Sequence, residues 1–176
     1  MVPCYGSFFA SYSLNYNSET DGGDAEVFNF SKMNNSLSFG ASLDSAKKFI
    51  IAQNITSHTK SQKKGITDQE MSFTLLELGP QFLWYFTQER RWYISYTYNF
   101  LASGSSQISG TKYDVEGSST MASLGYHLKV NKTFAMGASV KYHNITITSR
   151  SSGTTKTEVT DTFNSIYPML EAVLRF

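Results

Sequence analysis

Cysteine occurs once in this sequence, at Cys4. A lone thiol excludes an internal disulfide and any zinc site built on two or more thiolates. Pro3 in front of it does not fit a lipid-anchoring signal, and "MVPCYG" does not read as an export signal. Charge is also scarce. Asp, Glu, Lys and Arg make up 16% of the chain, against about a quarter in an ordinary globular domain. The net charge of +1 gives no electrostatic case for a nucleic-acid partner. No run of about 18 apolar residues is present, so no segment reads as a transmembrane helix. The hydrophobic fraction is only 40%, so the missing charge has not been replaced by apolar residues. Ser, Thr, Asn and Gly take its place. At 176 residues the chain reads as a single domain over 1–176.

What is present is alternation. Nearly every apolar stretch repeats with period two, the signature of a strand with two different faces. In "SFFASYSLNYN", Phe8, Ala10, Tyr12, Leu14 and Tyr16 share one face, with Ser and Asn on the other. "MNNSLSFGASL", "WYISYTYNF", "TMASLGYHLKV" and "FAMGASVKYH" repeat the pattern, and "FIIAQNITSH" follows it less regularly. In "LLELGPQFLWYF" the parity of Leu76 onward is opposite to that of Phe73 and Leu75, which predicts a bulge near Leu75–Leu76. With "YPMLEAVLRF" at the end, eight strands are predicted: roughly 6–17, 33–43, 49–58, 71–86, 92–102, 119–130, 134–147 and 162–176.

Three connections are tight and charged: "DSAKK", "TQERR" and "NKT". Their centres fall at 46, 89 and 132, a constant spacing of 43. The other four, around 18–26, 59–70, 102–118 and 148–161, are longer and polar. Short turns therefore lie at one end of the strands and long loops at the other.

Charge decides which face looks outward. The predicted strands hold only five charged side chains: Glu77, Lys129, Lys141, Glu171 and Arg175. A water-facing sheet carries abundant Lys and Glu, partly to block edge pairing. Small neutral polar groups instead suit a crowded interior, so the apolar face looks out into lipid. Lipid requires every backbone group to be paired within the protein, which among sheets only a closed barrel achieves. Aromatic residues cluster near the tight-turn end (Phe49, Trp84, Phe86, Trp92, Phe134, Phe176), as in an interfacial girdle. An all-β, eight-stranded antiparallel up-and-down transmembrane β-barrel with meander topology is expected.

The ending, with Leu170, Ala172, Leu174 and a terminal Phe176 on one face, resembles the insertion signal of bacterial outer-membrane proteins. The whole chain resembles the small eight-stranded members of the OmpX, OmpW and OmpA-membrane-domain kind. That resemblance implies a bacterial outer-membrane location. It also implies recognition of the last strand by the barrel assembly machinery, and outer-membrane lipids and lipopolysaccharide as surroundings. It is specific for architecture, because the group includes adhesins, small channels and lipid-modifying enzymes.

Eight strands enclose a lumen just wide enough to be filled by side chains. Glu77, Lys129, Lys141, Glu171 and Arg175 are therefore expected to form a structural charge network, with His127 beside them. A last loop centred near residue 156 sets Lys141 opposite Glu171 as an ion pair. Leu83, Tyr85, Leu101, Met121, Ile145 and Met169 are expected to add apolar surface to the lumen. No enzyme is expected: "KYHNITI" lacks the closely spaced His and Ser of the deacylases, and no acid is placed to orient a base at His58 or His143. No cofactor or metal is expected either. The polar loops, acidic in the first (Glu19, Asp21, Asp24, Glu26) and basic in the second (Lys60, Lys63, Lys64), suit an extracellular partner, helped by strand edges if "VFNF" and "KYDVEG" extend the sheet. The alternative is a narrow channel or lateral route for small hydrophobic molecules, opened at Pro80 and Pro168, each of which removes a ladder donor. A lipid-modifying enzyme is the third reading.

Overall fold

The computed structural model describes residues 7–23, 26–64, 69–108 and 110–176. Cys4 and Asp24 lie outside them. Eight strands follow in order: β1 (Phe8–Gly23), β2 (Glu26–Ser42), β3 (Phe49–Lys64), β4 (Gln69–Tyr85), β5 (Trp92–Ile108), β6 (Thr111–Lys129), β7 (Phe134–Ser152) and β8 (Thr155–Arg175). Each pairs antiparallel with its sequence neighbour, and β8 returns to β1 to close the barrel. Among the described residues, no helix is long and apolar enough to cross a membrane.

The inside-out assignment holds along every strand. Leu37, Phe39, Phe82, Ile94, Tyr96, Leu124 and Val140 are exposed on the outer wall. Their neighbours Ser36, Ser38, Ser95, Ser123 and Ser139 are buried in the lumen. The aromatic girdle is present at the tight-turn end, where Phe49 stacks on Trp84 with centroids 5.9 Å apart and Phe8 meets Phe176 at 6.1 Å. The three tight turns occupy 43–48, 86–91 and 130–133, as their charged sequences require.

The opposite end differs from the expectation. The segments that read as long loops are mostly extended ladder, so the strands reach 16 to 21 residues. A 17-residue strand is well over the about 9–11 residues that a tilted strand needs to cross the bilayer. The polar sequences that suggested loops continue the strands, and their inner face still holds buried residues such as Ala102 and Val115.

Two further expectations are corrected. No register shift occurs at Leu75–Leu76: Phe73 and Leu75 keep the inward parity of Glu77, and Leu76 and Leu78 point out. The apolar inward pair belongs to an upper core cluster of Leu75, Ala102, Val115, Ile145 and Ile147, against which Phe73 and Val159 pack. The bulges lie instead at Leu78/Gln81, Asn99/Ala102, Glu116/Gly117 and Ile147/Ser149. The one at Asn99/Ala102 turns Leu101 out of the lumen, where it is 49% exposed.

A second apolar cluster fills the tight-turn end of the lumen: Phe9, Ile50, Ala52, Leu83, Tyr85, Tyr93, Ala135 and Val173. Gly125 makes room for it. A Cβ there would lie 2.4 Å from the Tyr93 ring, so only glycine lets that tyrosine lie across the lumen.

Candidate functional site

The polar interior is organised as two networks, one in each half of the barrel. In the lower one, Glu171 on β8 accepts hydrogen bonds from Tyr93 (2.6 and 2.7 Å) and from Ser139 (2.7 Å). His127 on β6 reaches it from across the lumen, with Nε2 2.8 Å from Oε2. The other ring nitrogen of His127 accepts from Arg175 Nη2 at 2.7 Å, and the Tyr85 hydroxyl lies 2.8 Å from it. Arginine can only donate, so Nδ1 is the accepting nitrogen and Nε2 the one that donates to the carboxylate. The Arg175 guanidinium also covers the Tyr85 ring at 4.5 Å and donates to the Arg90 carbonyl at 3.2 Å.

The upper network repeats the same chemistry with different strands. Glu77 on β4 accepts through Oε2 from Asn99 (3.0 Å), Ser119 (2.9 Å) and His143 Nε2 (3.0 Å). His143 in turn accepts from the Tyr167 hydroxyl at 3.1 Å. Glu77 and His143 are fully buried. His58 stands above them, bonded to Asn34 and edge-on to His143 at 5.8 Å. His58 and His143, the two histidines nearer the outer loops, are therefore packed inside the lumen as His127 is, and Glu77 is an acid beside His143 that the sequence did not place.

Three expected network members behave differently from the expectation. Lys141 does not form a direct ion pair with Glu171. Its ammonium donates to Ser13 at 3.0 Å. The reason is register: the last hairpin turns at Gly153, whose φ of 60° suits glycine, not near residue 156. Lys141 therefore faces Tyr167, and Glu171 faces Gly137. Lys129 is the final residue of β6 and is exposed at the tight-turn rim. Arg175 is half-buried and joins through His127 rather than through a carboxylate. Tyr85, Tyr93 and Tyr167, which anchor both networks, carry no charge, and their inward parity is the sequence signal that marks them.

Beside the lower network, among the described residues, lies a cavity of about 10 Å³ lined by Gln81, Lys141 and Glu171. That is room for about one water molecule.

The two in-strand prolines are placed unequally. Even-numbered residues of β4 turn their backbone groups toward β5, as Phe86 N does to Trp92 O. The missing N–H of Pro80 thus falls at the Leu78/Gln81 bulge, and the β3–β4 ladder runs on unbroken. Even-numbered residues of β8 face β1, as Phe176 N does to Phe8 O at 2.9 Å. Pro168 therefore removes a donor from the closing seam. That seam pairs from Phe9–Arg175 to Leu14–Leu170 and goes no further among the described residues. Below Pro168, Leu170, Ala172, Leu174 and Phe176 lie on the outer wall along β1, and Lys47 Nζ caps the Phe176 carbonyl at 3.3 Å.

Above the seam the hairpins carry a half-buried ion pair, Arg150–Asp161, and an exposed one, Lys156–Glu116, each at 2.6 Å.

No family model matches the sequence, and no curated protein sequence matches it. Among solved structures, the chain is similar to Ail, the attachment invasion locus protein of Yersinia pestis, in complex with the heparin analogue sucrose octasulfate. The TM-score is 0.56 at 12% identity, over 97% of this chain and 99% of that one. With its closed ring of eight antiparallel strands and apolar outer wall, this chain has the fold of an eight-stranded outer-membrane β-barrel.

Proposed function

We propose that the protein is an integral bacterial outer-membrane barrel with a sealed lumen, which acts through its outer hairpins as a surface-interaction protein of the adhesion type rather than as an enzyme. The observation that carries this reading is the length of the strands. Ladder that runs well past the lipid band has no role in spanning. Above Leu14 and Leu170 it also leaves β1 and β8 each with one unpaired edge. Such edges are templates for an extended segment of another chain. The likeness to an attachment and invasion protein points the same way. Lipopolysaccharide surrounds the wall, and the barrel assembly machinery recognises Leu170, Ala172, Leu174 and Phe176. The test is to shorten the β7–β8 hairpin by removing residues 150–158 and measure attachment of expressing cells to host-cell monolayers. Attachment is expected to fall while the barrel remains folded. Undiminished attachment with the shortened hairpin overturns the reading.

Pro168 favours a second reading, a lateral path for small apolar molecules where β1 and β8 part at the upper edge of the lipid band. Uptake of a hydrophobic dye that is unchanged by closing this seam with a cysteine pair removes it.

A further inference from the structure

At the outer mouth of the barrel the lumen widens into a cavity of about 500 Å³. Its walls are chemically opposed. One side is basic: Lys32 on β2 and Lys60 on β3 stand directly opposite each other in the ladder, both on the inward face. The other side is apolar, formed by Phe73, Ile145 and Phe163, with the two phenyl rings 6.1 Å apart. His58 closes the floor, edge-on to Phe73 at 5.9 Å. No carboxylate lines the cavity among the described residues.

Two like charges directly opposite in a sheet destabilise it. Here neither ammonium is offset by a described carboxylate. Lys32 lies 4.6 Å above the Tyr167 ring and Lys60 5.5 Å from the Phe30 ring, contacts that orient the amines without neutralising them. Arg150, the third cation at the cavity, is already paired with Asp161. The volume lies within the range of ordinary ligand pockets, about 300–1,000 Å³, in which an apolar wall supplies affinity and a few polar groups fix orientation.

We propose that this outer cavity binds a small organic anion, with a carboxylate or sulfonate head between Lys32 and Lys60 and an aromatic or short aliphatic body against Phe73 and Phe163. An ion alone does not use the phenyl wall, and an uncharged apolar molecule leaves the lysine pair uncompensated. The site lies inside the mouth of the lumen and is separate from the strand edges of the outer hairpins, so either stands without the other.

The experiment uses the full chain in lipid nanodiscs, titrated calorimetrically with naphthalenesulfonate, with empty nanodiscs as the blank. Naphthalenesulfonamide serves as the uncharged counterpart. Saturable one-site binding of the anion is expected, weakened by added salt, with the sulfonamide bound at least about tenfold more weakly. K32Q/K60Q is expected to abolish the anion's preference, and F163S to weaken binding of the anion while leaving its salt dependence in place. K132Q, in the tight turn at the far end, is expected to bind as wild type does. Folding of each variant is checked by heat-modifiable migration. Should the double variant fold poorly, the single K60Q variant at an exposed position gives the same reading at smaller amplitude. Equal binding of anion and sulfonamide, unchanged binding in the lysine variants, or a signal no greater than the lipid blank overturns the proposal.

Discussion

His127 Nε2 lies 2.8 Å from Glu171 Oε2, which ties β6 to β8 across the lumen. Glu171 also holds Tyr93 and Ser139, so one carboxylate satisfies donors from three other strands. Glu171→Ala leaves those donors buried without an acceptor. The expected loss is about 3–5 kcal/mol, as for other buried charge networks with one member removed. A urea refolding titration in lipid vesicles measures it. A midpoint unchanged from wild type means that the network does not hold the barrel.

Gly125 tests the packing of the same network from the other side. Gly125→Ala drives a methyl group into the Tyr93 ring, and displacing that ring pulls its hydroxyl from Glu171. Overpacking of this kind costs about 1–3 kcal/mol. The same titration is expected to place Gly125→Ala between wild type and Glu171→Ala, and combining the two changes is expected to be less than additive.

Asp44 anchors the first tight turn. Its carboxylate accepts from the N–H groups of Lys48 and Phe49, each at 2.8 Å, and from the Ser42 hydroxyl at 3.2 Å. Partial burial pushes the carboxyl up, and the Phe49 and Lys48 N–H groups with Ser42 outweigh it, so the group titrates below its ordinary value. A depressed native value stabilises the fold above the unfolded carboxyl value, and that contribution is lost as pH falls through the lowered one. Asp44→Asn is therefore expected to remove a small acid-side slope from the stability profile and to change nothing near neutrality beyond the cap itself. An identical acid slope in the variant contradicts this.

Pro168 limits the seam between β1 and β8. Pro168→Ala restores an N–H directed toward β1, and the ladder is expected to extend by two pairs beyond Leu14–Leu170, to position 168 opposite Tyr16. Hydrogen exchange followed by NMR reads this as a protected amide at position 168 and slower exchange at Ile166. Rapid exchange at both positions shows that the strands part for a reason other than the missing donor.

Most of the architecture was legible in the sequence because period two and a low strand charge are independent signals that agree. Neither Ser36 beside Leu37 nor Ser123 beside Leu124 leaves the facing ambiguous once charge is excluded from the polar side. Register was less legible. The Lys141–Glu171 pairing depended on where the last hairpin turned, and "SSGTTKTE" offers several polar turn sites; only the glycine at Gly153 takes the left-handed conformation there. Strand length was hidden for a related reason. In these outer segments apolar residues such as Val115 and Val159 are spaced among many charged and polar ones, so the alternation is weak and extended ladder reads as loop. The histidine networks were visible only in part, because tyrosines on an inward parity look like ordinary filling until their hydroxyls are seen on His127, His143 and Glu171.

The orientation of the side chains about the wall is tested most directly by NMR contacts between protein methyl groups and lipid acyl chains in nanodiscs. Cross-peaks to the acyl chains are expected from Leu37, Leu124, Val140 and Leu170, and none from Leu75, Met121, Met169 or Val173. Acyl contacts from the second set, with none from the first, contradict a barrel that is apolar outside and polar within.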